Sequence, residues 1–195
     1  MSVNTQEGAK KLDGFISLDI MEEYRHAFQV SRLAFCVAKE LGLEDGICSE
    51  LMVACVLHDI GKLMLVNYMY GDGDQEPFVI EELKYMRMHS TLAYEELLDK
   101  GYSDNILKSI LYHHENYDGS GYPANLRGER IPLGARILRV CDVYSALRSD
   151  RPYRRARDMD TTMKLLIDEV RFFDMQVFLA LQRVVHKWEW REIDR

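Results

Sequence analysis

Residues of the kind that bind first-row metals recur in this chain on the same helical stripes as its core-forming residues, and that coincidence narrows the folds open to it. From about residue 18 onward, apolar residues return three and four apart, the spacing of helices that bury one face. Over 18–41, Val30, Leu33, Val37 and Leu41 form such a face, and stepping back along it by four reaches His26 and then Glu22. A second helix is predicted from Ser49 to His58, ended by Gly61 in His58-Asp59-Ile60-Gly61-Lys62. Residues 63–76 read as a Gly/Asp-rich loop, and Pro77 opens a long helix to about Asp99 on which Met86, His89, Ala93 and Leu97 share a side. Ser103 is placed to cap a helix carrying Ile106, Ile110, His113 and His114. From Pro132 another carries Ala135, Leu138, Asp142 and Ala146, and amphipathic stretches at 160–171 and 174–189 complete the chain. The expectation is an all-α helical bundle of about seven helices, with residues 18–195 forming one domain after a polar segment at 1–17.

Five predicted helices thus turn His26, His58, His89, His113 or His114, and Asp142 toward a common core, with Asp59 beside His58. A single histidine on an apolar face is ordinarily a hydrogen-bonded core residue. Several together, left without partners, would each cost about 1–3 kcal/mol, and more where charged. A metal centre removes the difficulty, because neutral imidazoles and carboxylates suit iron, manganese, zinc or nickel, and helical bundles build such sites from inward-facing side chains. Asp59 offers two oxygens and is the natural bridge between two ions. Two ions about 3.5–4 Å apart clamp a phosphoryl group for in-line displacement. The sixth histidine, His186, lies near a charged C-terminal stretch and reads as a surface residue.

Composition excludes other classes. A net charge of −7 over 195 residues argues against a DNA or RNA polymer as partner, although residues 148–158 are locally basic. Cys36, Cys48, Cys55 and Cys141 lack CxxC spacing and sit among apolar neighbours, which reads as buried thiols in a reducing compartment. With no apolar run of bilayer length and a polar beginning, the expectation is a cytoplasmic protein without a membrane partner.

Four strings carry a resemblance: "HDIGK" at 58–62, "MRMH" at 86–89, "HHENYDGSGYP" at 113–123, and "IPLGARILRVCDVYSALRSDRPYR" at 131–154. Together, and in this order, they resemble an HD-GYP domain, an extended form of the HD phosphohydrolases, over about residues 20–185. The resemblance implies an all-helical phosphodiesterase that cuts cyclic dinucleotides, mainly cyclic di-GMP, to linear pGpG and in some members GMP, by means of a hydroxide bridging two metals. It implies that His26, His58, Asp59 and Asp142 hold one divalent ion and that Asp59, His89, His113 and His114 hold the other, with iron or manganese ahead of zinc or nickel. Glu22 is the implied ligand of a third ion; pairing with Arg25 or His26 is the alternative for it. Asp59 and Lys62 are the implied catalytic residues, Lys62 meeting a substrate phosphate, and Gly121, Tyr122, Arg151 and Arg154 are implied to contact the dinucleotide.

Glu115 or Asp118 is expected to orient a ligand imidazole, while Gly119, Gly121 and Pro123 shape the loop. In the family this loop also meets diguanylate cyclase domains, so a cyclase, sensor or receiver partner is implied. Ser145 departs from the pattern, standing where the family has an aspartate, and weakens the expectation of a third ion; Ala93 and Met175 are milder departures. Two alternatives stay open: a related enzyme acting on 3′,3′-cGAMP, a dNTP or an alarmone, and a cyclic-dinucleotide receptor or scaffold with little turnover. The "GYP" string and the "RPYR" arginines argue against a plain HD enzyme.

Overall fold

In the computed structural model, which describes residues 15–16, 20–70, 78–79, 86–150 and 154–187, apolar periodicity becomes helix wherever one face can be buried. Helix α1 (Ile20–Glu40) turns Ala27, Val30, Leu33, Ala34, Val37 and Ala38 inward. It is followed by α2 (Asp45–Leu57), α3 (Ile60–Tyr70), α4 (His89–Leu97) and α5 (Asp104–Leu111), the last capped by Ser103 accepting from the Ile106 N–H. Then come α6 (Leu133–Arg148), which follows Pro132, and α7 (Met159–Asp168) and α8 (Met175–His186), capped by the side chains of Asp158 and Asp174. The expectation of an all-α bundle of about seven helices holds, with eight α-helices among the described residues. Their only strands are the two-residue pair β1 (Phe15–Ile16) and β2 (Phe78–Val79), antiparallel with Phe15 opposite Val79.

The differences have local causes. Residues 63–70, expected as loop, continue α3, because leucine and methionine favour helix and the glycine punctuation begins only at Gly71. The long helix expected from Pro77 is not continuous: Phe78–Val79 are strand, Arg87–Met88 form a turn, and α4 starts at His89. There the His89 ring takes up the Met86 carbonyl that an uninterrupted helix would offer to a backbone N–H. Pro77 and residues 80–85 lie outside the described residues. Helix α5 ends at Leu111, so His113 and His114 follow the helix instead of riding on it, and the stretch expected as helix to 171 ends at Asp168 before a 3-10 turn at Val170–Phe172.

Gly61 terminates nothing; it lies in the first turn of α3, against α4. A Cβ there would stand 2.0 Å from the His89 carbonyl oxygen, so only glycine permits this approach.

Two hydrophobic clusters result. One joins α1, α2, α6, α7 and α8 around residues such as Leu33, Leu138, Tyr144 and Leu181. The other joins α2, α4 and α5 through Ala54, Ala93, Leu97, Ile106, Leu107 and Ile110. Helix α2 contributes to both, and the turn at its C-terminal end carries His58 and Asp59. The four cysteines are free thiols. No helix among the described residues is long and apolar enough to cross a membrane.

Candidate metal centre

Three of the candidate histidines use one local device. His58, His89 and His113 each direct Nδ1 at the backbone carbonyl three residues earlier: Cys55 at 2.7 Å, Met86, and Ile110 at 2.6 Å. A carbonyl oxygen can only accept, so each ring must donate its Nδ1–H, and Nε2 is left to face inward. The same bond occupies carbonyls at the ends of α2 and α5 that have no helical partner. Fixing the ring through its outer nitrogen in this way is how metal-binding histidines are commonly held.

The inward atoms fall into two groups that could each hold an ion: His26, His58 and Asp59, and His89, His113 and His114. His26, His58, His89 and His113 are at most 3% exposed. His26 Nε2 lies 2.8 Å from Asp142 Oδ1, and His58 Nε2 lies 3.9 Å from the same oxygen, which brings Asp142 to the first group. In the second group, His89 Nε2 is 3.3 Å from His113 Nε2 and 3.1 Å from His114 Nε2. Asp59 stands between them, with Oδ2 3.1 Å from His58 Nε2 and Oδ1 3.2 Å from His89 Nε2. Each oxygen of one carboxylate therefore addresses a different group.

These residues fit divalent metal. With Nδ1–H committed on His89 and His113, the two facing Nε2 atoms present lone pairs to each other across 3.3 Å, an arrangement a cation relieves. His26 Nδ1 is buried without a hydrogen-bond partner among the described residues. Imidazole and carboxylate together make a donor set for iron, manganese, zinc or nickel.

Protonation follows the same geometry. Burial opposes charge on Asp59, yet the His58 and Lys62 cations hold its carboxyl well below the usual range. Asp142 is likewise held low against burial, by its hydrogen bond to His26. Burial and the neighbouring imidazoles keep His113 and His114 neutral, the latter lowered to about 3. For His58, burial acts downward but is outweighed by the Asp59 and Asp142 carboxylates, which raise it to about 9.

A testable consequence concerns the metal-free protein. Since the folded pKa of His58 exceeds its ordinary 6.5, its contribution to stability is complete below pH 6.5 and lost as pH rises through about 9. Thermal unfolding in EDTA should therefore show a falling melting temperature across that window. Bound Mn(II) should flatten the slope and release a proton on binding near pH 8. A pH-independent melting temperature in EDTA would contradict the assigned His58 charge.

The other expected residues separate into those at the centre and those engaged elsewhere. A cavity of about 340 Å³ opens over the centre and is lined by Asp59, Lys62, His89, His114, Tyr122 and Asp142 among others. Lys62 Nζ lies 2.5 Å from Asp59 Oδ2 and 3.0 Å from Glu23 Oε2; burial opposes its charge, but these two carboxylates hold it above the ordinary lysine range. Tyr122 stacks on His114 with ring centroids 4.8 Å apart, and its hydroxyl is raised to about 12 by burial. Glu22 belongs to neither donor group.

Gly121 is not among the lining residues; it is pressed against the backbone of residues 114–116, where a Cβ would come 2.3 Å from the Asn116 nitrogen. Arg154 is also not a lining residue: its guanidinium donates to the carbonyls of Ala146, Leu147 and Arg155, closing the C-terminal end of α6. Arg151 lies outside the described residues. Glu115 is bonded to the loop rather than to a ligand ring, its carboxylate accepting from the Ala124 and Leu126 N–H groups. Asp118 accepts from the Ser120 N–H and hydroxyl, within the same loop. Ser145 is buried and brings no carboxylate to the cavity.

Two residues went unforeseen. Glu23 holds Lys62 and lies three residues before His26, a helical neighbour spacing that could have disclosed it. Arg87 lines the cavity and lies over the Tyr122 ring, its guanidinium carbon 5.4 Å from the centroid. Its one sequence signal is a cation two residues before His89 in "MRMH".

A helical bundle whose turns and helices present histidines and aspartates in two groups around a shared carboxylate has the form of a metallohydrolase. A family model described as an HD domain matches residues 12–177, and the chain belongs to that family. It is 34% identical over 163 residues to the cyclic di-GMP phosphodiesterase PA4108 of Pseudomonas aeruginosa, covering 83% of this chain and 39% of that protein. It is 37% identical over 160 residues to the cyclic di-GMP phosphodiesterase response regulator RpfG of Xanthomonas campestris, covering 80% and 41%. The chain thus spans less than half the length of both relatives. Among solved structures, Bd1817, an HDG"Y"P protein from Bdellovibrio bacteriovorus, shares the fold with a TM-score of 0.66 at 22% identity, covering 85% of this chain and 53% of its own.

Proposed function

We propose that this chain is a metal-dependent phosphodiesterase of cyclic dinucleotides, with cyclic di-GMP as substrate and linear pGpG as first product. The observation that carries this is Asp59, whose two oxygens lie 3.1 Å and 3.2 Å from histidines of two different groups. Relatives that bear the name of cyclic di-GMP phosphodiesterase supply the substrate. On this reading residues 18–195 form one domain. His26, His58, Asp59 and Asp142 would hold one divalent ion, iron or manganese, and Asp59, His89, His113 and His114 the second. With Glu22 outside both groups and Ser145 lacking a carboxylate, two ions are the complement favoured over three.

Such a pair supplies Lewis acidity toward a phosphodiester and lowers the pKa of water to the neutral range. The protein's own groups do the rest. The Nδ1–H bonds hold three imidazoles in place, so little reorganisation accompanies reaction. Lys62, cationic and 19% exposed at the cavity edge, is placed to offset charge developing on a phosphoryl oxygen. Tyr122 forms part of the cavity wall, stacked on His114, and its hydroxyl stays neutral at physiological pH.

Product analysis tests the reading. Cyclic di-GMP incubated with Mn(II)- or Fe(II)-loaded protein should give pGpG, and EDTA-stripped protein should give none. Intact cyclic di-GMP in the presence of fully loaded protein would remove this substrate and turn attention to another nucleotide or to a receptor role.

A further inference from the structure

We infer that Arg87 grips the phosphodiester of a cyclic dinucleotide that is not being cut, an inference that rests on the cyclic-dinucleotide reading above. A cyclic dinucleotide carries two phosphodiesters, each with one negative charge, on opposite sides of its ring. While one lies at Asp59, the other is displaced from the metal donors and needs a cation of its own.

Among the described residues, the cavity is lined by two side chains of permanent positive charge, Lys62 and Arg87. Lys62 stands beside Asp59, its ammonium held there by Asp59 and Glu23, and so belongs with the phosphodiester being cut. Arg87 is exposed and faces no carboxylate among the described residues. Its position is one aromatic ring removed from the centre: the guanidinium lies over Tyr122, and Tyr122 stacks on His114.

A guanidinium resting on an aromatic face keeps its in-plane N–H groups for a partner, and that fork matches two phosphate oxygens. Of the two arginines expected to contact the dinucleotide, Arg151 lies outside the described residues and Arg154 donates from Nη1 and Nη2 to carbonyls at the end of α6. The competing account is that Arg87 only braces Tyr122.

The test compares wild type, Arg87→Ala and Arg87→Lys, each Mn(II)-loaded and with its metal counted, on two substrates. One is cyclic di-GMP; the other is bis(4-nitrophenyl) phosphate, which has a single phosphodiester and no purine. Equilibrium binding of cyclic di-GMP to the metal-free proteins in EDTA gives a readout independent of turnover.

Arg87→Ala should raise KM for cyclic di-GMP roughly 10- to 100-fold with a much smaller change in kcat, the scale of one charge-assisted hydrogen bond. Binding in EDTA should weaken by a similar factor, and lysine should recover part of both. The loss on cyclic di-GMP should exceed that on the small substrate by at least about tenfold. Equal losses on both substrates, or loss of metal, would overturn the assignment and leave Arg87 a brace for Tyr122. A wild type that cleaves the small ester but neither binds nor cleaves cyclic di-GMP would instead sink the substrate reading, and Arg87's role with it. If wild type cleaves cyclic di-GMP and Arg87→Ala matches it, the arginine inference alone fails.

Discussion

Asp59→Asn is expected to abolish cyclic di-GMP hydrolysis and to lower bound metal by at least one ion per chain. Asparagine preserves the size of the side chain but removes its charge and replaces one oxygen with an NH₂ that cannot act as a ligand. Both Asp59 oxygens are in use, with His58 on one side and His89 on the other, so either orientation of the amide deprives one group. Removing a single preorganised electrostatic group from a reaction centre commonly costs about 10²–10³ in kcat, and a shared ligand should cost at least the upper figure.

Two side effects can be separated from this. Lys62 retains Glu23 as partner, so its charge is not stranded. His58 loses the carboxylate that most raises it, so the fall in stability between pH 6.5 and 9 in EDTA should shrink. Metal counting, product analysis and a pH series of melting temperatures on one preparation report all three. A variant with full metal and more than about a tenth of wild-type turnover would show that Asp59 bridges nothing, against the electrostatic role assigned to it.

The donor residues were legible because burial on a helix is periodic. His26 and Asp142 lie on stripes that also carry Val30 and Leu138, and both meet in the centre at 2.8 Å. What periodicity could not convey is that His58, His113 and His114 stand in turns just beyond helix ends, where a free carbonyl fixes the rings of His58 and His113. Helix α3 was hidden for a different reason. Its run Leu63-Met64-Leu65-Val66 has no polar side, so it shows no amphipathic pattern. The substrate-side expectations depended on motif position alone: Lys62 and Tyr122 line the cavity, while Gly121 and Arg154 are engaged by tertiary contacts elsewhere. Arg154 closes α6, Gly121 is packed against the histidine backbone, and Arg87, from a string noted for its histidine, faces the cavity.

Gly61→Ala should be nearly as damaging as loss of a ligand, although no ligand is touched. In an exposed helix, alanine is favoured over glycine by about 1 kcal/mol, so propensity alone predicts stabilisation. At this position the added Cβ would meet the His89 carbonyl oxygen at 2.0 Å, its carbon at 2.8 Å and the Ala93 nitrogen at 3.0 Å. All three are backbone atoms and cannot rotate away, so α3 and α4 must separate. Overpacking of this kind costs about 1–3 kcal/mol, which outweighs the propensity gain.

The greater consequence falls on the centre. The 3.2 Å approach of Asp59 to His89 is made across this same crossing, and a displacement of about 1 Å in a reacting constellation can cost on the order of 100-fold in rate. Gly46→Ala, in α2, is the matched control, because its Cβ would have nothing within 4 Å. That variant should be neutral or gain up to about 1 kcal/mol. Urea unfolding with metal counts on the pair decides the matter: if Gly61→Ala keeps wild-type stability and both ions, the close approach of α3 to α4 does not set the geometry of the centre.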